Sequence, residues 1–133
     1  MSEITVIGLG AMGSAIAHAL LDRGCEIAVW NRSTSKTAAL AEAGAAVAET
    51  LPLAVAASPC ILVCIHGYAA TRALLDDPEI LPLLSGRTLL QLSTGTPAEA
   101  RAAEALVSPE ASLTPVAVNA ASRLWWIVRK ALA

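Results

Sequence analysis

Three glycines near the start of the sequence, Gly8, Gly10 and Gly13, have the spacing G-x-G-x-x-G. They lie between a predicted strand and a predicted helix, which is the context that a dinucleotide-binding turn requires. The first glycine permits a tight turn, the second lets a pyrophosphate approach the backbone, and the third lets the helix pack close to the strand. N–H groups at the helix start then face the phosphates. The motif predicts a pyrophosphate site at Gly8, Leu9, Gly10, Ala11, Met12 and Gly13. A glycine turn without a ligand is the alternative.

A polar segment, WNRSTSK at 30–36, follows the second predicted strand. An acidic residue at this place would bind the ribose 2′-hydroxyl of NAD, but Asn31 stands there, followed by Arg32. A carboxylate would repel a 2′-phosphate, whereas Asn31 does not and Arg32 can bind one through two hydrogen bonds. Further donors are available from Ser33, Thr34 and Lys36. The segment therefore favours NADP(H) over NAD(H). A solvated polar loop that caps a helix is the alternative.

The elements that must position these residues alternate between strand and helix. Predicted strands lie at 3–8, 26–30, 45–48, 60–65 and 88–93, and predicted helices at 11–23, 36–43, 51–57, 68–76 and about 96–107. In the first helix the apolar positions are Met12, Ile16, Ala19 and Leu20. This order predicts an α/β fold with a doubly wound parallel sheet of the Rossmann type, covered by helices on both faces.

Composition excludes several classes of protein. The 133 residues suffice for one domain, and 56% of them are hydrophobic. Nine basic and eleven acidic residues without a basic cluster argue against nucleic acid as a partner. Prolines interrupt the longest uncharged stretch, which argues against a membrane span, and the N-terminus lacks the basic region of a signal peptide. We expect a cytoplasmic protein with three reduced cysteines and no metal site.

Four motifs together carry a family resemblance: VIGLGAMGSAIAHALL, VWNRSTSK, VCIHGYAATRALL and LLQLSTGTPAEARA. Over residues 3–107 the chain resembles the N-terminal domain of the β-hydroxyacid dehydrogenase superfamily, which includes 6-phosphogluconate dehydrogenase, and within it the imine reductases. The resemblance implies that Gly8–Gly13 hold the pyrophosphate and that residues 31–34 and Lys36 hold the 2′-phosphate. It also implies that Cys64, Ile65 and His66 border the adenosine ribose, and that Ser93 and Thr94 contact the nicotinamide.

The segment after Val107 departs from the family pattern, in which a long helix and a helical domain supply the substrate cleft. We expect an NAD(P)-binding domain at 1–107 and a divergent tail at 108–133, with a possible strand at 113–118 and an amphipathic helix at 119–132. A truncated gene product, or a reading-frame change near residue 108, would explain the departure. No catalytic residue is identified. His66 could act as a base, but the sequence offers it no carboxylate partner, so a role beside the cofactor or in solvent is favoured.

Three functions remain open at this point. The first is the NADP(H)-binding part of an oxidoreductase that reduces an imine or a carbonyl, inactive without a second domain that binds the small-molecule substrate. The second is a stand-alone NADP(H)-binding module, and the third is an inactive gene fragment. Trp125 and Trp126 in the predicted last helix either pack onto the domain or form a self-association patch.

Overall fold

A computed structural model describes residues 2–65, 73, 77–84, 86–91 and 111–115. Short 3-10 helices lie at Thr34–Lys36 and Leu81–Leu84. The other elements, in chain order, are β1 (Ile4–Ile7), α1 (Ala11–Asp22), β2 (Ile27–Trp30), α2 (Ala38–Glu42), β3 (Ala46–Val47), α3 (Leu51–Ala56), β4 (Cys60–Val63), β5 (Arg87–Gln91) and β6 (Ala111–Pro115).

The strands form one sheet in the order β3-β2-β1-β4-β5-β6, and every neighbouring pair is parallel. The central strand β1 pairs on one side with β2, where Ile4 is opposite Ile27, and on the other with β4, where Ile4 is opposite Cys60. The order of the strands reverses at β1, and in open α/β sheets ligands bind beyond the carboxyl ends of the strands at such a point. The predicted doubly wound parallel sheet is confirmed.

Two apolar clusters cover the two faces of the sheet. One contains side chains of α1 and α2 together with Ile4, Val6 and Leu62, and the other contains Val55 of α3 together with Ile7 and Ile61. All four residues of β4 are buried, which confirms that this apolar run is a strand covered on both faces. Leu9 also lies in the first cluster with only 1% of its surface exposed, so its side chain anchors the turn after β1 in the core.

Helix α1 faces the sheet through smaller residues than the sequence pattern indicates. Gly13, Ala17 and Leu20 are its buried residues, whereas Met12 and Ile16 are half-buried and Ala19 is exposed. Small side chains at positions i and i+4 let the helix lie close to the strands, and the larger apolar residues flank that contact. Of the predicted apolar positions, Leu20 is buried and Met12 and Ile16 pack against the core, whereas Ala19 is exposed.

Two predicted boundaries also change. The strand predicted at 60–65 ends at Val63, so Cys64 and Ile65 belong to the loop that follows it. The helix predicted at 36–43 is divided into a 3-10 helix, Thr34–Lys36, and α2. Neither Ser33 nor Thr34 caps α2 with its side chain; the Thr37 hydroxyl instead donates to the Thr34 carbonyl at 2.7 Å. The backbone therefore forms one narrow 3-10 turn before the α-helix begins.

Glycines follow the ends of α1 and α2, as is typical of helix C-termini. Gly24 and Gly44 have φ of +82° and +111°, values that glycine adopts most readily. After α1 the Gly24 N–H donates to the Leu21 carbonyl and the Cys25 N–H to the Leu20 carbonyl, which is the Schellman arrangement. Among the described residues, no helix is long and apolar enough to cross a membrane.

The sixth strand, β6, begins two residues before the predicted segment 113–118, and its Leu113 is opposite Leu89 of β5. Whether the domain ends at residue 107 stays a prediction. The predicted helices at 68–76, 96–107 and 119–132, with the tryptophan pair of the last, lie outside the described residues except for Ala73.

Candidate cofactor-binding site

Three loops meet where β1, β2 and β4 end. The Gly8 N–H donates to the Trp30 carbonyl at 3.0 Å, and the Cys64 N–H donates to the Ile7 carbonyl at 2.8 Å. These bonds continue the strand ladders by one residue and hold the glycine-rich turn between the two neighbouring loops. The structure therefore places the predicted residues 8–13, 31–34, 36 and 64–65 at the carboxyl ends of the strands.

Each of the three glycines meets a different environment. Gly8 has φ of +92°, and a Cβ on it would lie 2.7 Å from the Cys64 carbonyl oxygen. A Cβ on Gly13 would overlap the Gly8 carbonyl oxygen, so the helix start and the turn touch backbone to backbone. A Cβ on Gly10 would meet no atom within 4 Å among the described residues. Gly8 and Gly13 therefore serve the fold, while Gly10 leaves open space beside the backbone.

The N-terminus of α1 faces that open space. Gly10 is its N-cap, and the first bond within the helix runs from the Ser14 N–H to the Gly10 carbonyl at 2.9 Å. No described side chain caps this end, and no acidic residue lies in its first turn. The N–H groups at 11–13 therefore add to the positive end of the helix dipole, an arrangement that suits a phosphate.

The loop after β2 is held by its own hydrogen bonds. The Asn31 side chain accepts from the Leu9 N–H and donates to the Ser33 carbonyl, both at 2.9 Å. The Ser33 and Ser35 hydroxyls lie 2.9 Å apart. Arg32 and Lys36 are exposed, and neither side chain has a hydrogen bond or ion pair to a described residue. The loop thus presents two available cations on a fixed backbone.

A neutral thiol lies beneath the turn. Burial raises the pKa of the Cys64 thiol to about 12, and its Cβ would lie 3.3 Å from a Cβ on Gly13. The thiol is therefore protonated at neutral pH, and it packs against the turn as an apolar group rather than acting as a nucleophile. Ile65 beside it is half-buried.

Sequence reasoning missed Ser14 and the structural part of Asn31. The Ser14 hydroxyl donates to the Leu9 carbonyl at 3.0 Å, and the signal for it was a hydroxyl residue in the first turn of a predicted helix. His66, Ser93 and Thr94 lie outside the described residues. Within the described part of the chain, no group of three histidine, cysteine or acidic side chains could hold a metal ion.

Comparison with known proteins agrees with this geometry. An NADPH-dependent reductive aminase of Aspergillus oryzae is 39% identical over 100 residues, which are 74% of this chain and 33% of that protein. An imine reductase from Myxococcus stipitatus, solved with NADP⁺, matches 86% of this chain with 38% identity and a TM-score of 0.84. Its V8 variant, solved with NAD⁺, matches 88% with 35% identity and the same TM-score.

This chain spans about 40% of the length of those imine reductase structures. The resemblance to imine reductases within the 6-phosphogluconate dehydrogenase type of proteins is confirmed, and with it the assignment of an NAD(P)-binding domain. The sequence model for the NAD binding domain of 6-phosphogluconate dehydrogenase matches residues 3–114. The chain belongs to this family.

Proposed function

We propose that this chain binds NADP(H) in preference to NAD(H), as the cofactor-binding part of an oxidoreductase of the imine reductase and β-hydroxyacid dehydrogenase type. The observation that carries the proposal is the pairing of an uncapped helix start, at Gly10–Gly13, with the exposed cations Arg32 and Lys36 on the neighbouring loop. Two anionic groups of one ligand would be bound at these two places.

The described residues fit a dinucleotide. Open space beside Gly10 leaves room for a pyrophosphate against the backbone, and the N–H groups of Ala11, Met12 and Gly13 supply donors without a competing side chain. Leu9 contributes by anchoring the turn in the core, because its N–H is already bonded to Asn31. We assign the pyrophosphate to residues 10–13.

The preference for NADP(H) rests on charge. Arg32 and Lys36 offer a 2′-phosphate two cations, and the guanidinium can form two parallel hydrogen bonds to it. Ser33 and Thr34 are exposed on the same loop. Asn31 is neutral where an acidic residue would repel that phosphate. Cys64, Ile65 and His66 at the ribose, and Ser93 and Thr94 at the nicotinamide, remain assignments by family resemblance.

When bound, the nicotinamide supplies the hydride chemistry. This chain's own residues would bind and orient the cofactor at the carboxyl edge of the sheet. The names of the relatives suggest an imine or a carbonyl compound as the hydride acceptor. The acceptor would be bound with the help of a second domain, as the family resemblance implies.

Calorimetric titration of the full chain with NADPH and with NADH tests the proposal. Tighter binding of NADPH is the expected result, because only NADPH carries the phosphate that Arg32 and Lys36 would bind. Equal affinities would contradict the cofactor preference, and a folded chain that binds neither would contradict the function. Oxidation of NADPH in the presence of a cyclic imine, followed by absorbance, would show in addition that the chain catalyses reduction without a second domain.

A further inference from the structure

One side chain joins the two places at which the cofactor's phosphates would bind. Asn31 has an amide oxygen that accepts from the Leu9 N–H in the glycine-rich turn, and an amide nitrogen that donates to the Ser33 carbonyl in the loop after β2. Both distances are 2.9 Å. Asn31 lies 22 residues from Leu9 in sequence, so no local turn explains the first contact.

The peptide groups around Leu9 are held from two sides. Its N–H is bonded to Asn31, its carbonyl accepts from the Ser14 hydroxyl at 3.0 Å, and its side chain is buried. The turn therefore has little freedom to move just before Gly10, where the donors for a pyrophosphate begin. Loss of the Asn31 contact would leave the Leu9 N–H without its partner and release one side of the turn.

The chemistry of both contacts requires a neutral amide. A carboxylate at position 31 could still accept from the Leu9 N–H, but it has no N–H to donate and would place an oxygen against the Ser33 carbonyl. A hydroxyl is too short to span both groups. With its oxygen and one of its two N–H bonds engaged, Asn31 retains a single N–H for any ligand.

We propose that Asn31 is a positioning residue that couples the pyrophosphate site to the 2′-phosphate site, rather than chiefly a ligand of the 2′-phosphate. The proposal rests on the proposed function, since it needs a cofactor with both groups. Coupling of this kind means that a phosphate that further restrains the loop at 31–36 also further restrains the turn that receives the others. It also means that the asparagine contributes to the binding of NADH, which has no 2′-phosphate.

Titration of the full-length Asn31→Ala and Arg32→Ala variants with both cofactors separates the two roles. Asn31→Ala should weaken NADH binding by about tenfold, the value of one hydrogen bond, and NADPH binding by at least as much. Arg32→Ala should weaken NADPH binding alone. In the double variant, the loss caused by Arg32→Ala should be smaller than in the parent chain, because the loop is no longer fixed.

Unchanged NADH affinity in Asn31→Ala would overturn the proposal and make Asn31 a direct ligand of the 2′-phosphate. A full Arg32 effect in the Asn31→Ala background would also overturn it, because the two sites would then be independent. Failure of the parent chain to bind NADPH is a different result, since it contradicts the proposed function itself.

Amide hydrogen exchange on the unaltered chain tests the coupling without any variant. Adenosine 2′-monophosphate carries the 2′-phosphate but no 5′-phosphate, so it can occupy the loop without reaching the turn. Its binding should slow exchange of the Leu9 N–H if Asn31 transmits the order of the loop. Bound nucleotide with unchanged exchange at Leu9 would refute the coupling, even where the alanine variant does not fold.

Discussion

Gly13 touches Gly8 so closely that a Cβ on Gly13 would overlap the Gly8 carbonyl oxygen. The first turn of α1 therefore rests directly on the turn that leaves β1. Both glycines are buried, whereas Gly10 between them is exposed. Within one motif, Gly8 and Gly13 are therefore needed for close contact between backbone segments. Gly10 is not, and its missing side chain leaves open space beside the helix start.

This difference gives a matched pair of variants. Gly13→Ala should lower the free energy of unfolding by about 3 kcal/mol, because a backbone oxygen has no room to move aside. Gly10→Ala should cost no more than about 1 kcal/mol, since its Cβ meets nothing in the described structure and only the N-cap of α1 is weakened. Urea unfolding followed by circular dichroism measures both. Equal destabilisation by the two alanines would contradict the assignment of the contacts.

Gly10→Ala should nevertheless weaken NADPH binding. A methyl group beside the helix start would push the pyrophosphate away from at least one N–H donor, a loss of about 1.5–3 kcal/mol. Calorimetric titration of the folded variant measures this effect. A Gly10→Ala variant that binds NADPH like the parent chain would show that the phosphates lie elsewhere.

Arg32→Ala should weaken NADPH binding by about 1.5–3 kcal/mol and leave NADH binding unchanged, because Arg32 is exposed and only NADPH carries the 2′-phosphate that we propose it binds. Arg23→Ala is the charge-matched control. Arg23 follows the C-terminal end of α1, and the twelve residues of the helix separate it by about 18 Å from the helix start. Its substitution should therefore affect the binding of neither cofactor. A similar loss of affinity for both cofactors in Arg32→Ala would indicate a role in the turn rather than in phosphate recognition.

The fold could be predicted from local sequence patterns, whereas the contacts within the site could not. Apolar runs such as Cys60–Val63 and glycines such as Gly24 act through their own segments, so the sequence predicts them directly. The contact between Asn31 and Leu9 depends on two loops that the sheet brings together, and no spacing rule contains it. The sequence pattern did not distinguish the exposed Ala19 from the buried Ala17, because alanine suits both environments of a helix.

A buried hydroxyl pair links β1 to the segment around α3. The Thr5 hydroxyl donates to the Ala54 carbonyl at 2.8 Å and lies 2.9 Å from the Ser58 hydroxyl, and neither Thr5 nor Ser58 is exposed. Thr5→Val keeps the shape but removes one of the two hydrogen bonds of the Ala54 carbonyl, which retains the Ala57 N–H at 3.3 Å, and takes the Thr5 partner away from the buried Ser58 hydroxyl. It should therefore lower the free energy of unfolding by about 1–3 kcal/mol in a urea titration.

Ser58→Ala provides the second arm of a double-mutant cycle. The two substitutions together should cost less than the sum of the single losses, because each removes part of the same hydrogen-bonded group. Additive losses would show that the two hydroxyls act independently. A Thr5→Val variant that is more stable than the parent chain would show that the hydroxyl pair does not stabilise the fold.

The cysteines should make stability fall at alkaline pH. Burial raises the pKa of Cys60 to about 11 and that of Cys64 to about 12, above the ordinary value of 9.0. In the unfolded chain these thiols ionise near pH 9, while in the fold they stay protonated. The free energy of unfolding should therefore be unaffected below about pH 9 and decrease from there toward about pH 12.

Urea unfolding at about pH 8 and about pH 10 measures this loss, and Cys64→Ala should reduce it. Thiol alkylation provides an independent measurement at neutral pH. Cys25, which is half-buried, should react before Cys60, which is buried. Equal rates for the two thiols would contradict the burial pattern.

The pairing of β1 with β4 has a consequence for the time at which the chain can fold. Ile4 pairs with Cys60, so the middle of the sheet has one open side until the strand Cys60–Val63 has left the ribosome. During that interval β1, α1 and β2 can assemble, but the backbone groups of β1 that will face β4 remain unpaired. An open strand edge pairs readily with other chains. The growing chain therefore passes through a stage at which this strand edge is exposed to pairing with other chains.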